Sequence, residues 1–203
     1  MLKVGITGGI GSGKTTVCHL FELQGIPVFY ADDRAKLLMN TDLVLVNSIK
    51  EAFGESVYLE DGRLNRKELA RVVFNNAGLL EKLNSLVHPA VFRDFDSWSL
   101  KQKSPYVLKE AAILFESGSD KDCDFTILVT SPPDIRIRRV ISRDKVSEEE
   151  VKKRMDKQLS DEKKIELADF IIRNDERELL IPQVINLHHK LLELSSVKTA
   201  NDD

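Results

Sequence analysis

Sixteen residues at the amino end, MLKVGITGGIGSGKTT, constrain this chain more than any other stretch. The apolar run Leu2-Lys3-Val4-Gly5-Ile6-Thr7 predicts a short buried strand. Gly8 to Thr15 then spells G-x-x-x-x-G-K-T, and Val17, Leu20 and Phe21 begin a helical apolar pattern at once. A strand, a glycine loop and a helix in that order form the context in which this spacing cradles phosphate. Gly8, Gly9, Gly11 and Gly13 let backbone N–H groups turn inward around an anion. The helix opening at Lys14 adds the positive end of its dipole. Lys14 has the reach for β- and γ-phosphates, and the Thr15 hydroxyl is a candidate Mg²⁺ ligand. The plainer alternative is a glycine-rich turn between strand and helix. The eight matching positions in this context favour a nucleoside triphosphate.

A chain of 203 residues fits one α/β domain with room for an inserted subdomain. Its formal charge of −3 argues against a general nucleic-acid binder. Cys18 and Cys123 belong to no C-x-x-C pair; they suit a reducing compartment and are expected in the core. The chain runs directly into its first core strand, which is read as leaving no room for a signal peptide. No apolar run reaches membrane-spanning length, so a cytoplasmic protein without a membrane partner is expected. His19, His88, His188 and His189 lack metal-ligand spacing, and the last pair reads as helix surface.

The first helix is expected over residues 14–24, stopped by Gly25, and a second strand over 26–30. Ala31-Asp32-Asp33 follow at that strand's carboxyl end, where ligands gather in open α/β sheets, and a helix resumes over 34–39. Asp32 and Asp33 are thus placed for chemistry, or one of them caps the helix. Residues 41–103 read as almost wholly helical, with turns at Gly54, Asp61-Gly62 and His88-Pro89. Asn65 to Glu68 has capping-box spacing. So much helix between two strands predicts an inserted lobe for the acceptor substrate, leaving a core of about 1–40 and 104–195. Residues 106–110 predict the third strand, ending in Glu110, a Mg²⁺ candidate or a solvated carboxylate. The fourth strand is expected over 124–129, followed by a helix with Ser131 as cap.

Arg136, Arg139 and Arg143 share one face of that helix. A capping box at Ser147 opens the next, which bears Lys152, Lys153, Arg154 and Lys157. Residues 132–165 are therefore either a solvated basic hairpin or a lid that neutralises a transferring phosphoryl group. A last strand over 168–172 and an amphipathic helix over 176–194 close the chain, with a polar tail expected to fray after Ser195.

Switch GTPases need N-K-x-D and D-x-x-G motifs, and transporter ATPases an L-S-G-G-Q-like signature; this sequence has none of them. An early phosphate loop, an acid after the second strand, a helical insert and a late arginine-rich segment fit a small-metabolite kinase instead. Several motifs carry a closer resemblance. Thr7 to Thr16, Ala31-Asp32, Leu64-Asn65-Arg66, Leu86-Val87-His88-Pro89, Ala112 to Glu116, Arg139 to Asp144, Gln158 and Ala168 to Asn174 resemble the successive landmarks of the dephospho-CoA kinase family. Tyr30 stands where that family usually has a first aspartate, Ala112 replaces a proline, and the closing Asn-x-Gly is not kept.

The resemblance implies a P-loop NTPase fold of α/β class: a mostly parallel sheet flanked by helices, with an inserted helical acceptor lobe and a helical lid. It implies ATP-dependent phosphorylation of the ribose 3′-hydroxyl of dephospho-CoA, a small-molecule substrate, by a monomer or small homo-oligomer. Asp32 would be the base or hydroxyl-orienting acid. Gly8, Gly9, Gly11, Ser12, Gly13, Lys14, Thr15 and Thr16 would hold ATP, with Thr15 and Glu110 toward Mg²⁺. Arg139 and Arg143 would close on the phosphates. Arg66, Leu86, His88 and Pro89 would belong to the acceptor site. A nucleoside or nucleoside-monophosphate kinase is the rival enzyme, and a nucleotide-binding regulator the rival of another class.

Overall fold

The computed structural model describes residues 1–73 and 76–202, with side chains through Lys198. The chain divides into two compact units, residues 1–30 with 102–203, and residues 31–101.

The first unit is built on a five-stranded sheet. β1 (Leu2–Thr7) buries five of its six residues, as a strand covered on both faces must. β2 (Val28–Tyr30), β3 (Tyr106–Glu110), β4 (Phe125–Thr130) and β5 (Phe170–Arg173) join it in the order β2-β3-β1-β4-β5. Every pairing is parallel: Ile6 stands opposite Glu110 of β3 and opposite Ile127 of β4. β1 thus lies at the centre, and the loop after it leaves the sheet between two neighbouring strands. In parallel sheets that is where ligands gather. Helix α1 (Lys14–Glu22) packs Val17, Cys18 and Phe21 into the core beneath this loop.

Several expected boundaries move for physical reasons. α1 stops two residues early, as Gln24 and Gly25 donate in tighter turns to Phe21 and Glu22. β2 starts at Val28, after Pro27, which has no N–H to give. Asp124 stays outside β4 and accepts the Lys3 amide at 2.8 Å. Asp169 stays outside β5, its carboxylate taking the Thr126 amide and hydroxyl, both at 2.8 Å. Ser131 does not cap α6 (Pro133–Asp144): Pro132 occupies the cap position, and the serine hydroxyl accepts from Arg139.

The box at Ser147 closes with both of its bonds over α7 (Glu148–Met155), which ends before Lys157. Ser160 caps a further helix, α8 (Asp161–Leu167). α9 (Leu180–Asp202) starts four residues later than expected, because the Asp175 carboxylate accepts from the Arg177 and Glu178 amides in a turn. It continues through the expected frayed tail to Asp202; Asp203 lies outside the described residues.

His188 departs most from expectation. Its ring is 9 % exposed, and the Tyr106 hydroxyl lies 2.7 Å from its Nδ1. His189 alone faces outward. Cys18 is in the core as expected, whereas Cys123 is only half-buried.

The second unit contains α2 (Ala31–Thr41), α3 (Leu43–Phe53), α4 (Arg66–Val73) and α5 (Ala77–Ser99). α2 begins directly after β2, so Asp32 and Asp33 lie in its first turn, where the helix dipole favours acids, rather than in a connecting loop. Asp42 caps α3 and Gly54, at φ +90°, ends it. Asn65 caps Glu68 at 3.2 Å, but its own amide goes to Val57, so only half of that box forms. Glu68 pairs with Arg71 instead.

No turn occurs at His88-Pro89: α5 runs through both. Val87, Ala90, Val91 and Phe95 keep one buried stripe across the proline, and that burial outweighs the hydrogen bond Pro89 cannot make. A two-pronged bond from Arg34 to Asp94, both prongs 2.6 Å, ties α2 to α5. Among the described residues no helix is long and apolar enough to cross a membrane.

Candidate active site

The loop between β1 and α1 turns on glycines that approach other groups too closely for any side chain. Gly13 opens α1 at φ +92°, and a Cβ there would collide with the Asn174 amide, which donates to the Ser12 carbonyl at 2.8 Å. A Cβ on Gly9 would fall within the Arg136 guanidinium. The sequence explains the glycines as makers of an anion-binding arc; the structure adds that protein groups press on the arc from outside.

Asp42, Asn76, Ser147 and Ser160 cap α3, α5, α7 and α8 through their side chains. α1 opens on Gly13 with no side-chain cap, and its first turn holds no acid. Its amino end, with neither side-chain cap nor acid, offers backbone donors and the positive end of the helix dipole, the chemistry that fits a phosphate oxyanion. Lys14 Nζ donates to the Gly8 carbonyl at 2.9 Å and keeps a positive charge over the loop. Thr15 and Thr16 are exposed at the head of α1. Thr7 and Ser12 are buried, and their hydroxyls have no hydrogen-bond partner among the described residues.

Glu110 ends β3 next to β1 and is 8 % exposed. Its negative charge helps burial push the Cys18 thiol far up, which keeps that sulfur protonated and inert. Tyr30 points its hydroxyl at Glu22 of α1, 3.2 Å away, so it offers no acid in place of the usual aspartate. Among the described residues no three His, Cys, Asp or Glu side chains cluster as a metal cage. A Thr15 hydroxyl and a carboxylate such as Glu110, with phosphate oxygens and water, suit Mg²⁺ better than such a cage would.

The three arginines of α6 separate. Arg136 is buried, donates to Asp161 at 3.0 Å and lies against Gly9. Arg139 reaches Ser131, Asn174 and Glu176 at 3.2–3.3 Å, beside Gly13. Arg143 turns to Asp144, as does Arg154 of α7, and is mostly exposed. Lys152 and Lys153 pair with Glu148 and Glu149 on their own helix. Sequence spacing placed the arginines on one face; only Arg136 and Arg139 stand against the loop.

In the second unit Asp32 is exposed in the first turn of α2 and Arg66 is exposed at the start of α4. Leu86, His88 and Pro89 lie along α5, with the His88 ring 6.3 Å from that of Phe92. The Arg34–Asp94 fork, which steadies the helix carrying Asp32, had no local signal in the sequence. Its two residues are sixty positions apart.

A family model described as dephospho-CoA kinase matches residues 2–179. The chain belongs to the dephospho-CoA kinase family. Curated relatives agree: a dephospho-CoA kinase of Salinibacter ruber is 47 % identical, over 86 % of this chain and 89 % of its own. One from Bacteroides fragilis is 38 % identical over 97 % and 98 %. A solved Thermus thermophilus protein superposes with a TM-score of 0.81 at 34 % identity, covering 95 % of this chain and 97 % of its own. The Campylobacter jejuni dephospho-CoA kinase shares the fold at a TM-score of 0.69 and 24 % identity, over 94 % and 97 %. With α/β architecture, a parallel sheet and flanking helices, the chain is a P-loop kinase.

Proposed function

We propose that the protein transfers the γ-phosphoryl group of ATP to the ribose 3′-hydroxyl of dephospho-CoA, giving CoA and ADP. The observation that carries this reading is the uncapped amino end of α1 beneath the glycine arc, with Lys14 over it, in a chain of the dephospho-CoA kinase family. Gly8, Gly9, Gly11, Ser12, Gly13, Lys14, Thr15 and Thr16 hold the polyphosphate. Thr15 and Glu110 are the groups that would hold Mg²⁺, which would supply charge neutralisation for the transferring group. Asp32 orients the acceptor hydroxyl and takes its proton. Arg139 serves the phosphates from α6, and Arg143 would join it only by leaving the Asp144 carboxylate to which it turns. Residues 41–103, through Arg66, Leu86, His88 and Pro89, receive the acceptor. The enzyme works in the cytoplasm as a monomer or small homo-oligomer, with no nucleic-acid or membrane partner.

An acceptor panel tests this: ADP release is measured with dephospho-CoA, AMP, CMP and nucleosides, and the product is checked for phosphate at the 3′ position. Turnover with dephospho-CoA alone is expected. Turnover only with a nucleoside monophosphate would make the protein a different kinase, and ATP binding with no acceptor-dependent ADP release would make it a regulator.

A further inference from the structure

Gln158 lies just past α7, and its side-chain amide spans two backbone groups of the core. Oε1 accepts the Ile10 N–H at 2.9 Å, and Nε2 donates to the Ala112 carbonyl at 3.2 Å. That orientation of the amide makes both bonds; the flipped one would face donor to donor and acceptor to acceptor. The next residue is pinned as well, the Leu159 amide donating to Glu116 Oε1 at 2.9 Å. Glu116 is in turn 3.1 Å from the fully buried Lys164 ammonium. At the start of α8, Asp161 accepts from Arg136, whose guanidinium lies against Gly9. Residues 158–161 therefore hold two consecutive members of the phosphate loop from outside, Gly9 through Arg136 and Ile10 directly.

A glycine arc has no stiffness of its own. Its amides lower a barrier only if they are already aimed when charge develops. The Ile10 amide sits inside this arc and is committed to Gln158, not available to phosphate. From this we infer that Gln158 is a positioning residue of the phosphate loop, fixing the Ile10 peptide so that the amides of Gly11 and of Gly13 to Thr16 converge on the polyphosphate, the Ser12 amide being spent on the Gly9 carbonyl. The inference rests on the nucleotide reading of the loop.

The test compares wild type with Gln158→Met, which keeps the length and removes both bonds. ATP binding is measured by calorimetry, KM for each substrate by steady-state kinetics, Ile10 amide exchange by NMR, and Tm by calorimetry. The expected result is a rise of about tenfold or more in KM for ATP with KM for dephospho-CoA unchanged. Ile10 exchange should be about tenfold faster, confined to the loop. Should Gln158→Met fail to fold, Gln158→Asn keeps an amide one methylene too short to reach Ile10, and is expected to give the same split. A lower Tm with unchanged KM values and unchanged Ile10 exchange would overturn the inference by showing a structural tie only. Wild type that binds no ATP would instead overturn the reading of the loop itself.

Discussion

Arg139 is held by four acceptor contacts, all at 3.2–3.3 Å, longer than the 2.7–2.9 Å usual for charge-assisted bonds. One of those acceptors, Glu176, sits at φ +64°, a conformation that costs a non-glycine residue about 1–2 kcal/mol. Its carboxyl is kept below the usual range by Arg138 first and by Arg139 second. Such loose, neutralising contacts suit a guanidinium that exchanges carboxylate for phosphate when negative charge develops. Arg139→Ala is therefore expected to lower kcat by about 100-fold while ATP affinity changes less than tenfold. Single-turnover rates against calorimetric Kd check this, and equal losses in both would reduce Arg139 to a ground-state contact. Asp32 belongs to the acceptor side of the proposal. Asp32→Asn should cost about 10²–10⁴ in turnover and leave ATP binding intact. Lost ATP affinity in that variant would contradict the role.

Among the elements, α5 is the one built against its own propensity. Pro89 lies deep within a 23-residue helix, at an exposed position where it contributes no core packing. A proline in a helix interior costs about 3 kcal/mol relative to alanine. Pro89→Ala is accordingly expected to raise Tm by several degrees. If Pro89 shapes the acceptor site, the same substitution should raise KM for dephospho-CoA without changing KM for ATP. A higher Tm with both constants unchanged would leave it outside the acceptor site. The strands carry the opposite lesson. Tyr106 to Glu110 form β3 over the expected residues: Tyr106, Val107 and Leu108 are the apolar run of a strand covered on both faces, and the charged Lys109 and Glu110 that end it are buried as well.

At the scale of the whole molecule, the Tyr106–His188 contact fastens the closing helix to the central sheet, and it gives folding a pH dependence. Burial, and then the neighbouring His189, lower the His188 pKa from its ordinary 6.5. The unfolded chain therefore binds a proton at a pH where the folded one does not. The stability from this site is full above about pH 6.5 and is lost as pH falls toward the lowered folded value. Thermal unfolding between pH 7.5 and 5.5 should show Tm of wild type falling more steeply than that of His188→Gln. Parallel slopes would remove His188 as the source.

What the amino-acid sequence determined by itself are features set by near neighbours: the strand–loop–helix of residues 2–22, the capping box at Ser147 and the parallel α/β alternation. Each depends on residue types a few positions apart. Tertiary structure alone decided that His188 is buried, that α5 continues through Pro89, and that Arg136 and Gln158, more than a hundred positions downstream, brace Gly9 and Ile10. Burial and long-range hydrogen bonds depend on which element covers which face, and a local pattern carries no record of that.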